Sequence, residues 1–197
     1  MKQRAIFLDK DGTLIVDVPF NVDPARVALA PSAGEALRRF VSLGFKLVVV
    51  SNQPGVALGL FPERALRGVE AQVQKLLRPS GVAIDAFFYC THAPPRAGNG
   101  TIACICRKPQ PGLLRRAASD WHLDLARSWL VGDILDDVEA GRSAGCRTAF
   151  VLNGGETEWR LSPRRHPDVC SSTFAGAARA ILDVEAAEGA PTVSEWS

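Results

Sequence analysis

Phe7-Leu8-Asp9-Lys10-Asp11-Gly12-Thr13-Leu14 decides how this chain is built: an apolar run beginning at Ala5 ends in two carboxylates at alternate positions and then a glycine. A buried strand end does not tolerate such a pair cheaply. Two acidic groups this close repel each other unless a cation lies between them, and oxygen-only ligands at this spacing suit Mg²⁺. Gly12 allows the tight backbone turn that must follow.

Outward from this stretch, further β-rich runs occur at Lys46 to Val50, Ile84 to Tyr89, Trp129 to Val131 and Thr148 to Leu152. Between them lie amphipathic stretches with apolar residues at helical steps, as in Ala33, Ala36, Leu37, Phe40 and Val41, or Leu66, Val69, Val73, Leu76 and Leu77. Further helices are predicted from Gly112 to Trp121, Asp136 to Ala144 and Phe174 to Val184. Strands alternating with helices imply a parallel sheet with crossover connections, hence a three-layer α/β fold whose ligands bind outside the carboxyl ends of the strands. Polar residues just after strands therefore matter most. Residues 1–187 are expected to form a single domain and residues 188–197 a flexible tail.

Composition sets the class. With 197 residues, 47% hydrophobic and 22% charged, the chain can bury one ordinary core. No apolar run approaches the roughly 20 residues that a membrane span needs. Met1 to Asp9 has the look of a short strand rather than a signal peptide, so a cytoplasmic protein is expected. The net charge of +2, from 23 basic and 21 acidic residues, points to neither a nucleic-acid nor a membrane partner, and the chain is expected to be a monomer. Arg160, Arg164 and Arg165 are expected on a solvated face.

The cysteines do not suggest a disulfide framework. Thr91 to Ile105 is a Pro- and Gly-rich loop long enough to need something that orders it. The pairs Cys90-Thr91-His92 and Cys104-Ile105-Cys106 flank it. Three thiolates and one imidazole fit a closed tetrahedral Zn²⁺ site, with no position left for a catalytic water. Such a structural site would deliver Arg107 and Lys108, which follow Cys106 directly. Cys146 and Cys170 are expected to be small core residues, and His122 and His166 surface or capping groups.

Taken singly, each polar strand end could be a turn or a helix cap. Taken together they resemble the haloacid dehalogenase (HAD) superfamily. Asp9-Lys10-Asp11-Gly12-Thr13 is similar to its nucleophile motif, Val48-Val49-Val50-Ser51-Asn52-Gln53 to its second, Arg107-Lys108-Pro109 to its third, and Val131-Gly132-Asp133-Ile134-Leu135-Asp136-Asp137 to its fourth. The resemblance implies a Rossmann-like HAD fold with strand order 3-2-1-4-5, a zinc-binding loop and no large cap domain. It also implies a Mg²⁺-dependent phosphatase with Asp9 as nucleophile and Asp11 as general acid and base. Ser51 and Lys108 would stabilise the transferring phosphate. Asp9, the backbone carbonyl of Asp11 and Asp133 would hold Mg²⁺, with Asp137 in support behind them. A carboxyl acid must keep its proton near neutrality against an ordinary pKa of about 4, for which Asp11 depends on the neighbouring phosphate and Asp9 charges.

The zinc loop, together with Val18-Pro19-Phe20-Asn21-Val22-Asp23-Pro24 and Ser51-Asn52-Gln53-Pro54-Gly55-Val56-Ala57, resembles the bacterial D-glycero-D-manno-heptose 1,7-bisphosphate 7-phosphatases and the related histidinol-phosphate phosphatases. That implies a small phosphorylated sugar or similar metabolite as partner, bound by Ser51, Asn52, Gln53, Arg107 and Lys108. Arg107 would face the remote phosphate, for which its planar fork is suited. Leu58 and Leu60 stand where such enzymes commonly carry basic residues, and Ile134 replaces a polar residue. Histidinol phosphate or another phosphosugar is therefore an alternative substrate, and a non-catalytic zinc-stabilised binding module a more distant one.

Overall fold

A computed structural model describes residues 2–94 and 104–189. Its six strands form one parallel sheet in the order β3-β2-β1-β4-β5-β6. They are β1 (Ala5–Leu8), β2 (Lys46–Asn52), β3 (Ala86–Cys90), β4 (Trp129–Gly132), β5 (Arg147–Val151) and β6 (Val169–Ser171). The helices are α1 (Ala33–Ser42), α2 (Leu66–Leu77), α3 (Gly112–Asp120), α4 (Leu135–Ala144) and α5 (Phe174–Gly189). The expected order of five strands holds, and the three-residue β6 extends the sheet at the β5 edge.

Strand alternation builds the three layers. Ile6, Leu8, Leu47 and Val49 point to a core shared with Leu37 and Phe40 of α1, Val69 and Val73 of α2 and Ile181 of α5. Their neighbours Ala5, Phe7, Val48 and Val50 point to the other face, against Leu113, Leu114 and Ala117 of α3 and Ala140 of α4. Each fully buried Leu or Phe contributes about 2 kcal/mol relative to exposure, so a one-residue slip of β1 or β2 would misplace most of both cores.

Several expectations are corrected. Helix α5 runs on to Gly189 instead of stopping at Val184, because Glu185 and Glu188 reach back to the sheet. Glu185 accepts from Arg4 at 2.6 Å and from Trp129 Nε1 at 2.8 Å, and Glu188 from Arg147 at 2.9 Å. Cys146 is buried as expected, but Cys170 is exposed on the edge strand β6. Arg165 is not a solvated charge: it pairs with Asp136 at 2.8 Å and Glu139 at 2.6 Å, fastening the segment after β5 to α4. The middle of the expected 91–105 loop and residues 190–197 of the expected tail lie outside the described residues. No helix among the described residues is long and apolar enough to cross a membrane.

Candidate active site

Because β1 and β4 are adjacent, their carboxyl ends bring Asp9 and Asp133 together. The backbone N–H of Asp9 still donates to Val131 at 2.9 Å, so Asp9 leaves the sheet at a fixed height. The chain then turns sharply. Gly12 adopts φ 80°, and its N–H donates to Ile15 at 2.9 Å. A side chain on Gly12 would be strained by that φ and would collide with the Asp133 carboxylate, so glycine is needed for both space and conformation. Thr13, fully buried, donates its hydroxyl to Asp133 Oδ1 at 2.8 Å.

Asp9, Asp133 and Asp137 are all buried, and each offers a carboxylate oxygen within 4.8 Å of the others. Burial first, and then the charge of Asp9, pushes Asp133 up to about 6, with the Thr13 hydroxyl and Lys108 acting the other way. Asp137 is also raised, by burial above all, with Lys108 opposing and Asp9 adding. A site of crowded, desolvated carboxylates fits a hard divalent cation with oxygen ligands, whose charge would relieve that repulsion. Both oxygens of Asp137 are otherwise engaged: Oδ1 forms an ion pair with Lys108 at 2.5 Å, and Oδ2 accepts from Ile134 N–H at 3.3 Å at the start of α4.

Lys108 is buried among acceptors. Its Nζ donates to Asp9 Oδ1 at 2.5 Å and to the Val50 carbonyl at 3.1 Å. Burial alone would pull its ammonium down, but the Asp137 and Asp9 charges outweigh that and hold it above the usual lysine range. It is a fixed positive charge.

The second motif lies at the end of β2. Ser51 is buried, and Gln53 Nε2 donates both to Ser51 Oγ at 3.0 Å and to Asp11 Oδ2 at 2.9 Å. Lys10 Nζ holds the other oxygen of Asp11 at 2.7 Å. Asp11 is thus gripped at both oxygens. Asn52 spends its amide on the backbone of Lys108, donating to its carbonyl at 3.1 Å and accepting from its N–H at 3.0 Å. In this state Asn52 and Gln53 face the protein's own groups, a supporting position in addition to the substrate contact expected of them.

Cys90 ends β3, and its backbone carbonyl accepts from Gln53 N–H at 2.7 Å. Around it, Cys106 Sγ lies 3.2 Å from Cys90 Sγ and 3.4 Å from Cys104 Sγ, and His92 Nδ1 lies 3.2 Å from Cys106 Sγ. None of these cysteines is in a disulfide. Burial, with the neighbouring thiols, pushes the Cys90 thiol upward, a cost that a bound cation would reverse. The donor set fits a tetrahedral soft-metal site. The Ile105 carbonyl accepts from Gly112 N–H at 2.9 Å, so the cluster is also tied to the start of α3.

Arg107 is half-buried, and one of its guanidinium nitrogens is buried with no hydrogen-bond partner among the described residues. In the loop after β2, Leu58 and Leu60 are 44% and 57% exposed. A cavity of 490 Å³ adjoins Asp133 and is lined by Thr13, Asp17, Asn153 and Gly155 among others.

Three contributors went unrecognised in the sequence. The burial of Lys10 and the partner of Thr13 depend on contacts between distant segments. Asn153, whose amide donates to the Gly12 carbonyl at 2.5 Å, had a usable signal: it is a polar residue just past β5 and precedes two glycines.

Comparisons with known proteins show the family. A family model described as HAD-hydrolase-like matches residues 105–177. A D-glycero-β-D-manno-heptose-1,7-bisphosphate 7-phosphatase of Mesorhizobium japonicum is 40% identical over 153 residues, covering 76% of this chain and 70% of that protein. The enzyme of that name from Haemophilus ducreyi is 34% identical over 157 residues, covering 79% and 86%. Among solved structures, a D,D-heptose 1,7-bisphosphate phosphatase from B. bronchiseptica, complexed with magnesium and phosphate, aligns with TM-score 0.75 at 31% identity, covering 92% of this chain and 99% of that one.

Proposed function

We propose that this chain, which belongs to the HAD-like family of D-glycero-β-D-manno-heptose-1,7-bisphosphate 7-phosphatases, removes the 7-phosphate of D-glycero-D-manno-heptose 1,7-bisphosphate through a phosphorylated Asp9. The observation that carries the chemistry is the convergence of Asp9, Asp133 and Lys108 at the carboxyl ends of β1 and β4.

Phosphoryl transfer asks mainly for positioning and for neutralising spread negative charge. A carboxylate oxygen of Asp9 attacks phosphorus, and the bond from phosphorus to the sugar oxygen breaks. Asp11, oriented by Lys10 and Gln53, gives its proton to the departing alkoxide. In the second half Asp11 takes a proton from water, the water oxygen attacks phosphorus, and the bond to Asp9 breaks, releasing phosphate and restoring Asp9. Lys108 and Ser51 bear on the phosphoryl oxygens, where losing one donor costs on the order of 3 kcal/mol of barrier.

Asp9, Asp133 and the Asp11 carbonyl would hold Mg²⁺, which when bound neutralises phosphoryl charge; Asp137 stands behind, fixing Lys108. Cys90, His92, Cys104 and Cys106 would hold a structural Zn²⁺. We place the protein in the cytoplasm, in keeping with its free thiols, and take it to act as a monomer.

For the substrate, the orphaned guanidinium nitrogen of Arg107 supports recognition of a second phosphate. Exposed Leu58 and Leu60 favour the alternative, a monophosphate such as histidinol phosphate, since an apolar loop grips a remote anion less well. Side-by-side kcat/KM with Mg²⁺ on the two substrates separates these, and a preference of at least about tenfold for histidinol phosphate rejects the heptose assignment. Failure to hydrolyse any phosphate monoester, with ligand binding retained, would mark a non-catalytic module.

A further inference from the structure

Asn153 lies just past β5, in a segment to which none of the proposed catalytic roles falls. Its side chain bridges two loops. Nδ2 donates to the Gly12 carbonyl at 2.5 Å, in the turn that follows Asp9 and Asp11. Oδ1 accepts from the Gly155 N–H at 3.0 Å. Both glycines press on the same atom: a Cβ on Gly12 or on Gly155 would run into Asp133 Oδ2. The opposite oxygen, Oδ1, is held by Thr13. The Asp133 carboxylate is therefore walled by two stretches of bare backbone, and Asn153 is the tie that joins them.

We infer that Asn153 is a positioning residue for the divalent-cation site: by tying Gly12 to Gly155 around Asp133, it sets the orientation in which that carboxylate meets the metal. The inference rests on the magnesium assignment above. The terminal torsion of a carboxylate is soft, whereas Mg²⁺ demands near-ideal octahedral geometry and dehydrates reluctantly. A side chain free to rotate would lose part of its binding free energy to being ordered. Groups that orient a metal ligand without touching the metal typically account for about 10- to 100-fold in affinity. No alternative fixture for Oδ2 is present among the described hydrogen bonds, whereas Oδ1 has one.

The test is calorimetric titration of metal-free protein with Mg²⁺, independent of turnover. Asn153 is exposed, so Asn153→Ala should fold. Its Mg²⁺ dissociation constant is expected to rise about tenfold, while KM for the phosphate monoester at saturating Mg²⁺ stays within about twofold of wild type. Gly155→Ala, which drives a methyl group against Asp133, should weaken Mg²⁺ at least as much. Asn153→Asp loses the donor to Gly12 yet adds a negative charge near the metal. On charge alone it would bind Mg²⁺ more tightly, so weaker binding supports the tie and tighter binding overturns it. An Asn153→Ala protein that binds Mg²⁺ as wild type does also overturns it. If the wild type binds Mg²⁺ and hydrolyses no phosphate monoester, the function assignment fails, while the titrations still decide the role of Asn153.

Discussion

Asn52 and Lys108 are joined by a reciprocal pair of hydrogen bonds, side-chain amide to main chain, at 3.1 and 3.0 Å. The side chain at the end of β2 thus acts as a strand partner for the segment that carries the lysine. It converts the geometry of the sheet into the placement of Lys108 Nζ, beside the Val50 carbonyl and Asp9.

Asn52→Ala removes both bonds and leaves a main-chain N–H and carbonyl to find water. We expect stability to fall by about 1 to 2 kcal/mol and kcat by about 10- to 100-fold, because Lys108 is no longer held in register. Asn52→Asp keeps the acceptor for Lys108 N–H and should lie between wild type and Asn52→Ala. Steady-state kinetics and denaturant unfolding check both, and an Asn52→Ala enzyme with wild-type kcat would refute the docking role.

Lys108→Met leaves Asp9 and Asp137 buried without their counter-charge. Metal-free protein should lose about 3 to 5 kcal/mol of stability, and turnover should fall by about a thousandfold. Adding Asp137→Asn to that variant should return much of the stability and none of the activity, since it removes a stranded charge without replacing the cation over the phosphate. Should the double variant unfold as easily as Lys108→Met alone, the ion pair at 2.5 Å is not what stabilises this layer.

Magnesium binding should depend on pH. In the metal-free protein Asp133 is pushed up to about 6 from 3.8, so the folded state takes up a proton that the unfolded chain does not over that interval. Stability from this group is therefore greatest at acid pH and is lost as pH rises through about 6, costing about 3 kcal/mol at neutrality. Mg²⁺ needs the carboxylate form and competes with that proton. The rise in Tm on adding Mg²⁺ should be large at about pH 7.5 and much smaller at about pH 5. An increment independent of pH would show that Asp133 is not a ligand.

Protein prepared without chelator should carry zinc near one per chain. Cys104→Ser should lower that content and reduce kcat more than KM, because the cluster anchors the segment leading to Arg107 and Lys108. Structural zinc sites contribute on the order of 10 kcal/mol, so a large drop in Tm should accompany metal loss. Full activity in zinc-free protein would discard the anchoring role.

The legible part of this molecule was local. Asp9 and Asp11 announce themselves through position, just past an apolar strand, and the helical spacing of Leu66, Val69, Val73 and Leu77 matches the buried face of α2, with Leu76 partly buried beside it. Cys90, His92, Cys104 and Cys106 are legible by ligand type and close pairing. Strand β6 was not, since three partly exposed residues are too short to show a period, and they become a strand only by pairing with Ala149, Phe150 and Val151. The last turns of α5 were hidden for the same reason, being held by Arg4, Trp129 and Arg147 across the molecule.

By itself the sequence determined the alternation of strands and helices, the order of the carboxyl-end motifs and the chemical types present at each, because periodicity and residue chemistry are properties of neighbouring positions. Which of those groups meet was decided only in three dimensions. That Lys108 lies between Asp9 and Asp137, that Asn52 is spent on the Lys108 backbone, and that Asn153 closes two glycines around Asp133 all follow from the parallel sheet placing successive strand ends side by side. Such contacts depend on chain segments far apart, and no local pattern encodes them.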